Sequence, residues 1–376
     1  MSTWHDPLKL PYPANGEQRP VTKESYRVGI IGLSGIAARP RGNAKAPFAN
    51  EILISHAASI DHAARVEVAS YCDLQPTLLE EFSGNWGSRW PDARAYTNYK
   101  EMLADADLDI VTVATSDHLH ADMTVDAATA GAKAVFVEKP MATSLEDTDR
   151  MIQACEENGT VLSVDHTRRW SPMFHQARES IRGGSIGALS TIVAQRGSGR
   201  AMLFRNGTHI IDGICFFAES DPVQVWANLE SGFEDWDRYK GSGGKDPAND
   251  PAATGFVLFS NGVRAVYLGH KDTTDNLKDL HLSGPDGQIF LHIDAQIAHV
   301  RTTDPDDSNL HLVRTIQPRQ YQVHGLVAAY EELVRLIENP SLVGVSTGYE
   351  ARKTVQIMVG FLKSHQEGSR MVAIPD

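Results

Sequence analysis

Cysteine is scarce. The three present in 376 residues, Cys72, Cys155 and Cys215, are odd in number, far apart and set in apolar sequence. That excludes a disulfide framework and reads as buried, reduced thiols in a cytoplasmic protein. No Cys/His cluster has the spacing of a zinc site, so no metal is expected. No apolar run reaches the roughly 18 residues of a membrane span. Positive charge is also in short supply: 35 Lys and Arg against 48 Asp and Glu leave a net charge of −13. Such a chain has no electrostatic reason to bind nucleic acid or an anionic membrane. Residues 1–25 lack the apolar stretch of a secretory signal and read as a proline-rich arm.

Apolar residues are plentiful, at 41%, with 6 Trp, 12 Phe and 10 Tyr, and the length suits two domains. Short β-branched runs at 27–32, 65–72, 109–114, 133–137 and 160–164 alternate with helical patterns at 51–63, 117–130 and 145–158. This alternation predicts an α/β domain, a doubly wound parallel Rossmann sheet, over 26–165. From Leu189 the pattern turns strand-rich, with runs at 188–196, 222–230, 253–260, 262–270, 278–284 and 287–293 separated by turns such as Ser260-Asn261-Gly262. These predict a C-terminal α+β domain over 166–376, built on a large, mostly antiparallel, open-faced sheet. Helices at 324–338 and 349–366 close it, and a loop at 241–251 interrupts it as solvent-exposed chain, a lid or a partner contact.

The first strand runs into Gly29-Ile30-Ile31-Gly32-Leu33-Ser34-Gly35-Ile36-Ala37. Gly32 suits the tight turn of a dinucleotide fold, and small Ala37 suits close helix–strand packing. Backbone amides of the turn around Ser34, Gly35 and Ile36 suit a pyrophosphate. Asp73 ends the second strand, where a carboxylate takes ribose hydroxyls and repels a 2′-phosphate, favouring NAD over NADP. The gap between turn and carboxylate is long; the surplus at 39–50 reads as a loop inserted beside the cofactor. Arg39 and Arg41 in it keep NADP open. Lys139 follows the strand ending at Val137, on the side where open α/β sheets bind ligands, with Glu138 as a supporting carboxylate.

Three segments, GIIGLSGIA, ATSDHLHADMTVDAATAGAKAVFVEKPMATSLEDTDRMI and VDHTRRWSP, resemble the Gfo/Idh/MocA family of oxidoreductases over roughly residues 26–215. The resemblance implies that Lys139 is catalytic, that the Lys139–Pro140 bond is often cis, and that Thr115, Ser116, His118 and His120 lie at the nicotinamide pocket. It also places a catalytic His209 in the segment Asn206–Asp212. His209 and Asp212 share a helix face, and Arg205 stands where many members carry an aspartate, so part of the usual Lys–Asp–His set is missing or Asp212 takes its place as a catalytic residue. Substrate contacts would come from Lys139, His166, Arg168, Arg169, Trp170, Arg205 and His209; an indole packs on a sugar ring and a guanidinium binds hydroxyls. The expected activity is NAD(P)-dependent oxidation of a hydroxyl on a sugar, glycoside or cyclic polyol, by a homodimer or homotetramer assembled through the C-terminal sheet. Two alternatives stay open: a glycosidase that oxidises C3 transiently, and a non-catalytic NAD-binding regulator.

Overall fold

The structure, a computed structural model, describes residues 23–40, 55–273, 276–293, 297–316 and 325–375; the N-terminal arm up to residue 22, Arg41 and residues 51–54 lie outside them. Strand β1, Tyr26–Ile31, is buried at every position except Arg27. There follow α1 (His56–His62), β2 (Val66–Cys72), α2 (Pro76–Trp86), β3 (Arg94–Tyr96), α3 (Tyr99–Asp105), β4 (Ile110–Val113), α4 (His120–Thr129), β5 (Ala134–Val137), α5 (Leu145–Glu157) and β6 (Val161–Val164). The sheet order is β3-β2-β1-β4-β5-β6, with every pair parallel. Strands β4 and β5 are buried at all four positions, as strands covered on both faces must be. The order reverses between β1 and β4, so the crevice at their carboxyl ends is this fold's ligand position.

The division into two units differs from the single boundary expected near residue 166. The first unit takes the described residues up to 141, then 147–170, and then 325–348 from far down the chain. Helix Gly325–Glu338 belongs to it: Leu326, Val327, Ala329, Tyr330 and Leu333 share one core with Val28, Ile30, Phe136 and Trp170. Periodicity alone shows that a helix has an apolar face, not which sheet that face covers.

The second unit holds α6 (Pro172–Arg182), β7 (Thr191–Gly197), α7 (Thr208–Ala218), β8 (Pro222–Leu229), β9 (Ala253–Phe259), β10 (Arg264–His270), β11 (Leu277–Gly284), β12 (Gly287–His292), β13 (Ile297–Thr303) and β14 (His311–Ile316). Helix α8 is the Gly325–Glu338 helix of the first unit, after which α9 (Gly348–Gln366) and β15 (Val372–Ala373) end the chain. The order β14-β13-β12-β11-β7-β10-β9-β8-β15 makes nine strands, antiparallel except for the parallel pair β7–β10. Burial alternates along β9, β10 and β12, so one face is covered and the other is open. On the covered side α7 packs over β7 and β10, and Phe361 of α9 lies so close to Gly255 that no side chain fits there. Among the described residues no helix is long and apolar enough to cross a membrane.

Candidate active site

The turn after β1 is built around Gly32. Its φ is +86°, and a Cβ there would stand 2.6 Å from the carbonyl oxygen of Ala114 at the end of β4. Only glycine lets the two strand ends approach this closely. Gly35 has φ +58° and open space where a Cβ would be. Ser34 and Ile36 are exposed and Ala37 is buried, as close helix–strand packing requires. Among the described residues, nothing accepts from the amides of Ser34, Gly35 and Ile36. Three such donors at a strand-to-helix turn fit a pyrophosphate. Asp73 faces the same turn: its Oδ2 accepts from Leu33 N–H at 2.9 Å, and its Oδ1 from Gln75 N–H at 2.9 Å. A carboxylate so oriented keeps acceptor capacity for ribose hydroxyls.

The helix that should follow begins and then breaks off. Residues 34–38 form one turn, in which Ala37 N–H donates to Ser34 O and Arg39 N–H to Gly35 O. The ladder resumes further on: His56 N–H donates to Ile36 O and Ala57 N–H to Ala37 O, both at 2.9 Å. The turn at 34–38 and α1 therefore share one ladder although 15 residues separate Arg39 from Ser55 in the sequence, which explains most of the surplus between Gly32 and Asp73. The splice is satisfied on both sides. Trp86 Nε1–H donates to Ala38 O at 2.9 Å, and Ser55 Oγ–H to Arg39 O at 2.6 Å. Ser55 also caps α1 by accepting from Ala58 N–H.

At the carboxyl end of β5 the Lys139–Pro140 bond is cis and Lys139 is half-buried. Thr115 and Ser116 stand half-buried at the end of β4, and His118 is exposed. His120 corrects an expectation. It is 1% exposed, with Nδ1 2.9 Å from Pro140 O and Nε2 3.3 Å from Thr115 O. Burial holds its pKa below the usual histidine value, so the shorter contact takes the ring N–H. His120 ties the turn after β4 to the Lys139–Pro140 turn and does not line the nicotinamide pocket.

Glu138 likewise lies behind Lys139 rather than beside a cofactor. It is buried, with Oε1 3.2 Å from His56 Nε2 and Oε2 accepting the Lys139 amide N–H at 3.2 Å. Asp165, at the end of β6, hydrogen-bonds to it and accepts from Thr167 Oγ1–H at 2.7 Å. His56 Nδ1 lies 2.9 Å from Tyr330 Oη, which lies 2.8 Å from Thr112 Oγ1. Burial works against the Glu138 charge, but the His56 hydrogen bond and the Lys139 charge outweigh it and hold the carboxyl low. Burial and the adjacent Glu138 charge push Asp165 well above the carboxylate range. One of the two is an anion and the other an acid, as two touching carboxyls require. His56, Glu138 and Asp165 bring their side-chain N and O atoms within 4.8 Å of one another, joined by hydrogen bonds to Glu138. Sequence reading missed His56, Asp165 and Tyr330: Tyr330 lies 274 residues from His56 and 218 from Thr112, and His56 lies 82 from Glu138.

Two expected sugar contacts are overturned. Trp170 is fully buried, donates Nε1–H to Glu332 Oε2 at 3.0 Å and meets Phe136 edge to face. Its ring faces are spent on the core. Arg169 is 3% exposed and donates to Val345 O at 2.9 Å. Both fasten the end of β6 to the returning segment 325–348. His166 is buried beside them, and Arg168 is half-buried.

In the second unit a wide π-turn, Leu203–Gly207, leads into α7. Its first amides are capped by buried Asp250, which accepts from Phe204 N–H at 3.1 Å and Arg205 N–H at 2.9 Å. Gly207 passes so close to Tyr267 Oη that a Cβ would sit 2.5 Å from it. Such π-turns are frequent at functional positions. His209 is half-buried at the second position of α7, and Asp212 is 1% exposed on the same helix. The Arg205 guanidinium donates to Gly243 O in the 241–251 loop. Lys271 pairs with Glu230 and donates to Pro247 O and Asp250 O, so the far end of that loop is pinned rather than a free lid.

A glycine turn, a carboxylate facing it and a lysine on one carboxyl-terminal sheet edge are the arrangement of a dinucleotide-binding fold. Residues 26–166 match the model of the Gfo/Idh/MocA oxidoreductase family, described by its NAD-binding Rossmann fold. Myo-inositol 2-dehydrogenase of Thermotoga maritima is 29% identical over 161 residues, 43% of this chain and 42% of that protein. The chain spans about two fifths of the length of the curated relatives it matches. Among solved structures, aldose-aldose oxidoreductase from Caulobacter crescentus, complexed with glycerol, aligns with a TM-score of 0.73 at 20% identity, over 93% of this chain and 99% of that one. Levoglucosan dehydrogenase, in complex with NADH and levoglucosan, aligns with a TM-score of 0.72 at 17% identity, over 94% and 100%. These likenesses carry the fold.

Proposed function

We propose that the protein is an NAD-dependent oxidoreductase that oxidises a hydroxyl of a sugar, glycoside or cyclic polyol. The observation that carries this reading is the common edge of the first sheet, where the Gly32–Ala37 turn, Asp73 and Lys139 follow β1, β2 and β5. The amides of Ser34, Gly35 and Ile36 hold the pyrophosphate and Asp73 holds the ribose hydroxyls. The same carboxylate repels a 2′-phosphate, which favours NAD over NADP. When bound, the nicotinamide accepts a hydride. Lys139 or His209 takes the proton of the hydroxyl. Thr115, Ser116 and His118 border the nicotinamide; Arg168 and Arg205 are the arginines left for the substrate.

The reading includes a cytoplasmic protein, supported by three buried free cysteines, and a homodimer or homotetramer joined through the open face of the nine-stranded sheet. The test is incubation with NAD⁺ or NADP⁺ and a panel of inositols, pyranoses and glycosides, following reduced nicotinamide and released products. NADH formation with a polyol or sugar supports the reading. Release of an aglycone without net NADH replaces it with transient-oxidation glycosidase chemistry. Failure to bind either nucleotide ends it.

A further inference from the structure

The buried polar chain behind Lys139 has a direction. Five side chains from five places in the first unit take part: His56 on α1, Thr112 on β4, Glu138 after β5, Asp165 after β6 and Tyr330 on α8. Each is at most 6% exposed. Donors can be assigned along every link without conflict. Thr112 donates to Tyr330, Tyr330 to His56 Nδ1, and His56 Nε2–H to Glu138 Oε1. From the other side, Thr167 donates to Asp165 Oδ1, and Asp165, kept protonated by burial and the adjacent Glu138 charge, gives its own proton to Glu138. The Lys139 amide donates to Glu138 Oε2. All of these donors converge on Glu138, and no second acceptor-only group is left in the chain. His120, which also faces Glu138, is held neutral by burial, with Asp117 beyond it.

We propose that His56, Asp165 and Tyr330 are positioning residues that confine a single negative charge to Glu138, behind Lys139, and thereby set the pH at which the Lys139 ammonium gives up its proton. The proposal rests on reading Lys139 as the acid–base group of the site. A floor with two charges would hold the ammonium too firmly to act as a base; a floor with none would let it lose its proton in the resting enzyme. One charge lies between these, and the hydrogen-bond directions supply it.

The titration of Lys139 tests this in the full-length, nucleotide-free protein. An amine-selective reagent is applied across a pH series, and modification of the Lys139 peptide is read by mass spectrometry. Glu138→Gln should lower the midpoint by about one pH unit or more, the ordinary effect of losing an adjacent charge. Asp165→Asn, which replaces a carboxyl proton with an amide donor, should leave the midpoint within a few tenths of a unit. Tyr330→Phe keeps the packed ring and should move it downward by less than Glu138→Gln. A drop in Asp165→Asn as large as that in Glu138→Gln would show two charges and overturn the proposal, as would an unmoved midpoint in Glu138→Gln. Should Glu138→Gln not fold, the other two variants decide, since the proposal requires the asparagine variant unmoved and the phenylalanine variant lowered. The readout needs neither nucleotide nor substrate. The expected midpoints without nicotinamide binding would leave the charge assignment standing and remove the oxidoreductase reading; turnover with flat midpoints would do the reverse.

Discussion

Lys139 and Glu138 are chain neighbours with opposite tasks, and the strand end separates them. The lysine is half-buried at the crevice edge, while the glutamate points back into the fold to meet His56. Removing the ammonium with Lys139→Ala should lower turnover by about 10²–10⁴-fold, the usual contribution of a positioned acid–base group. Nucleotide affinity, measured by NADH fluorescence, should change only a few-fold, because the pyrophosphate and ribose contacts lie elsewhere. Equal losses in affinity and turnover would instead make Lys139 a cofactor anchor. Glu332 is a second buried acid with its own consequence. Burial raises it to about 7, against partial compensation from the Trp170 and Val345 hydrogen bonds. A raised acid contributes stability that is full below its ordinary value of 4.5 and is lost as pH rises through about 7. Urea unfolding at pH 5 and pH 8 should therefore show a smaller pH difference for Glu332→Gln than for the native chain. The slope removed is at most about 1.4 kcal/mol per pH unit.

At the scale of elements, the spliced helix is the departure that local sequence could least announce. Pro40 and Pro47 marked an interruption, yet only the hydrogen bonds from His56 to Ile36 and from Ala57 to Ala37 show that the helix continues across it. Deleting residues 40–55, so that Arg39 joins His56, should give a folded protein that still binds NAD⁺, since both ladder bonds would then close within one uninterrupted helix. Circular dichroism and nucleotide titration check this; a folded variant that has lost NAD⁺ binding would assign the inserted residues to the cofactor site. Elements whose environment repeats along the chain were legible: β1, β4 and β5 as apolar runs, Gly32 and Asp73 as the residues that end strands. Strand β14 was not, because its side chains are exposed on both faces and no alternation marks it. His56 was not, because a histidine in an apolar helix shows its role only through Glu138, Asp165 and Tyr330, brought together by the sheet. Trp170 and Arg169 misled for a related reason. Their chemistry suits sugars, but it suits Glu332 and the Val345 carbonyl equally well, and burial decides between the two.

For the molecule as a whole, the return of α8 to the first unit matters most. Tyr330 supplies a hydroxyl to the buried polar chain, and its ring closes the core against Phe136 at 5.4 Å. A fragment of residues 23–170 would expose the faces of Tyr26, Phe136 and Trp170 that α8 covers. It should bind the dye ANS, melt without cooperativity and fail to bind NAD⁺, whereas the same fragment joined by a linker to 325–348 should recover cooperative melting. A stable, nucleotide-binding 23–170 fragment would show the returning segment to be dispensable.

That return also orders events at the ribosome. The half that carries the glycine turn is translated first, yet it lacks its roof until more than three hundred residues have emerged. A message cut short between residues 171 and 320 would yield a chain with the full dinucleotide motif and an unroofed core beneath it. Nucleotide affinity would then report that synthesis had passed α8, and chains cut before it would compete poorly for dinucleotide.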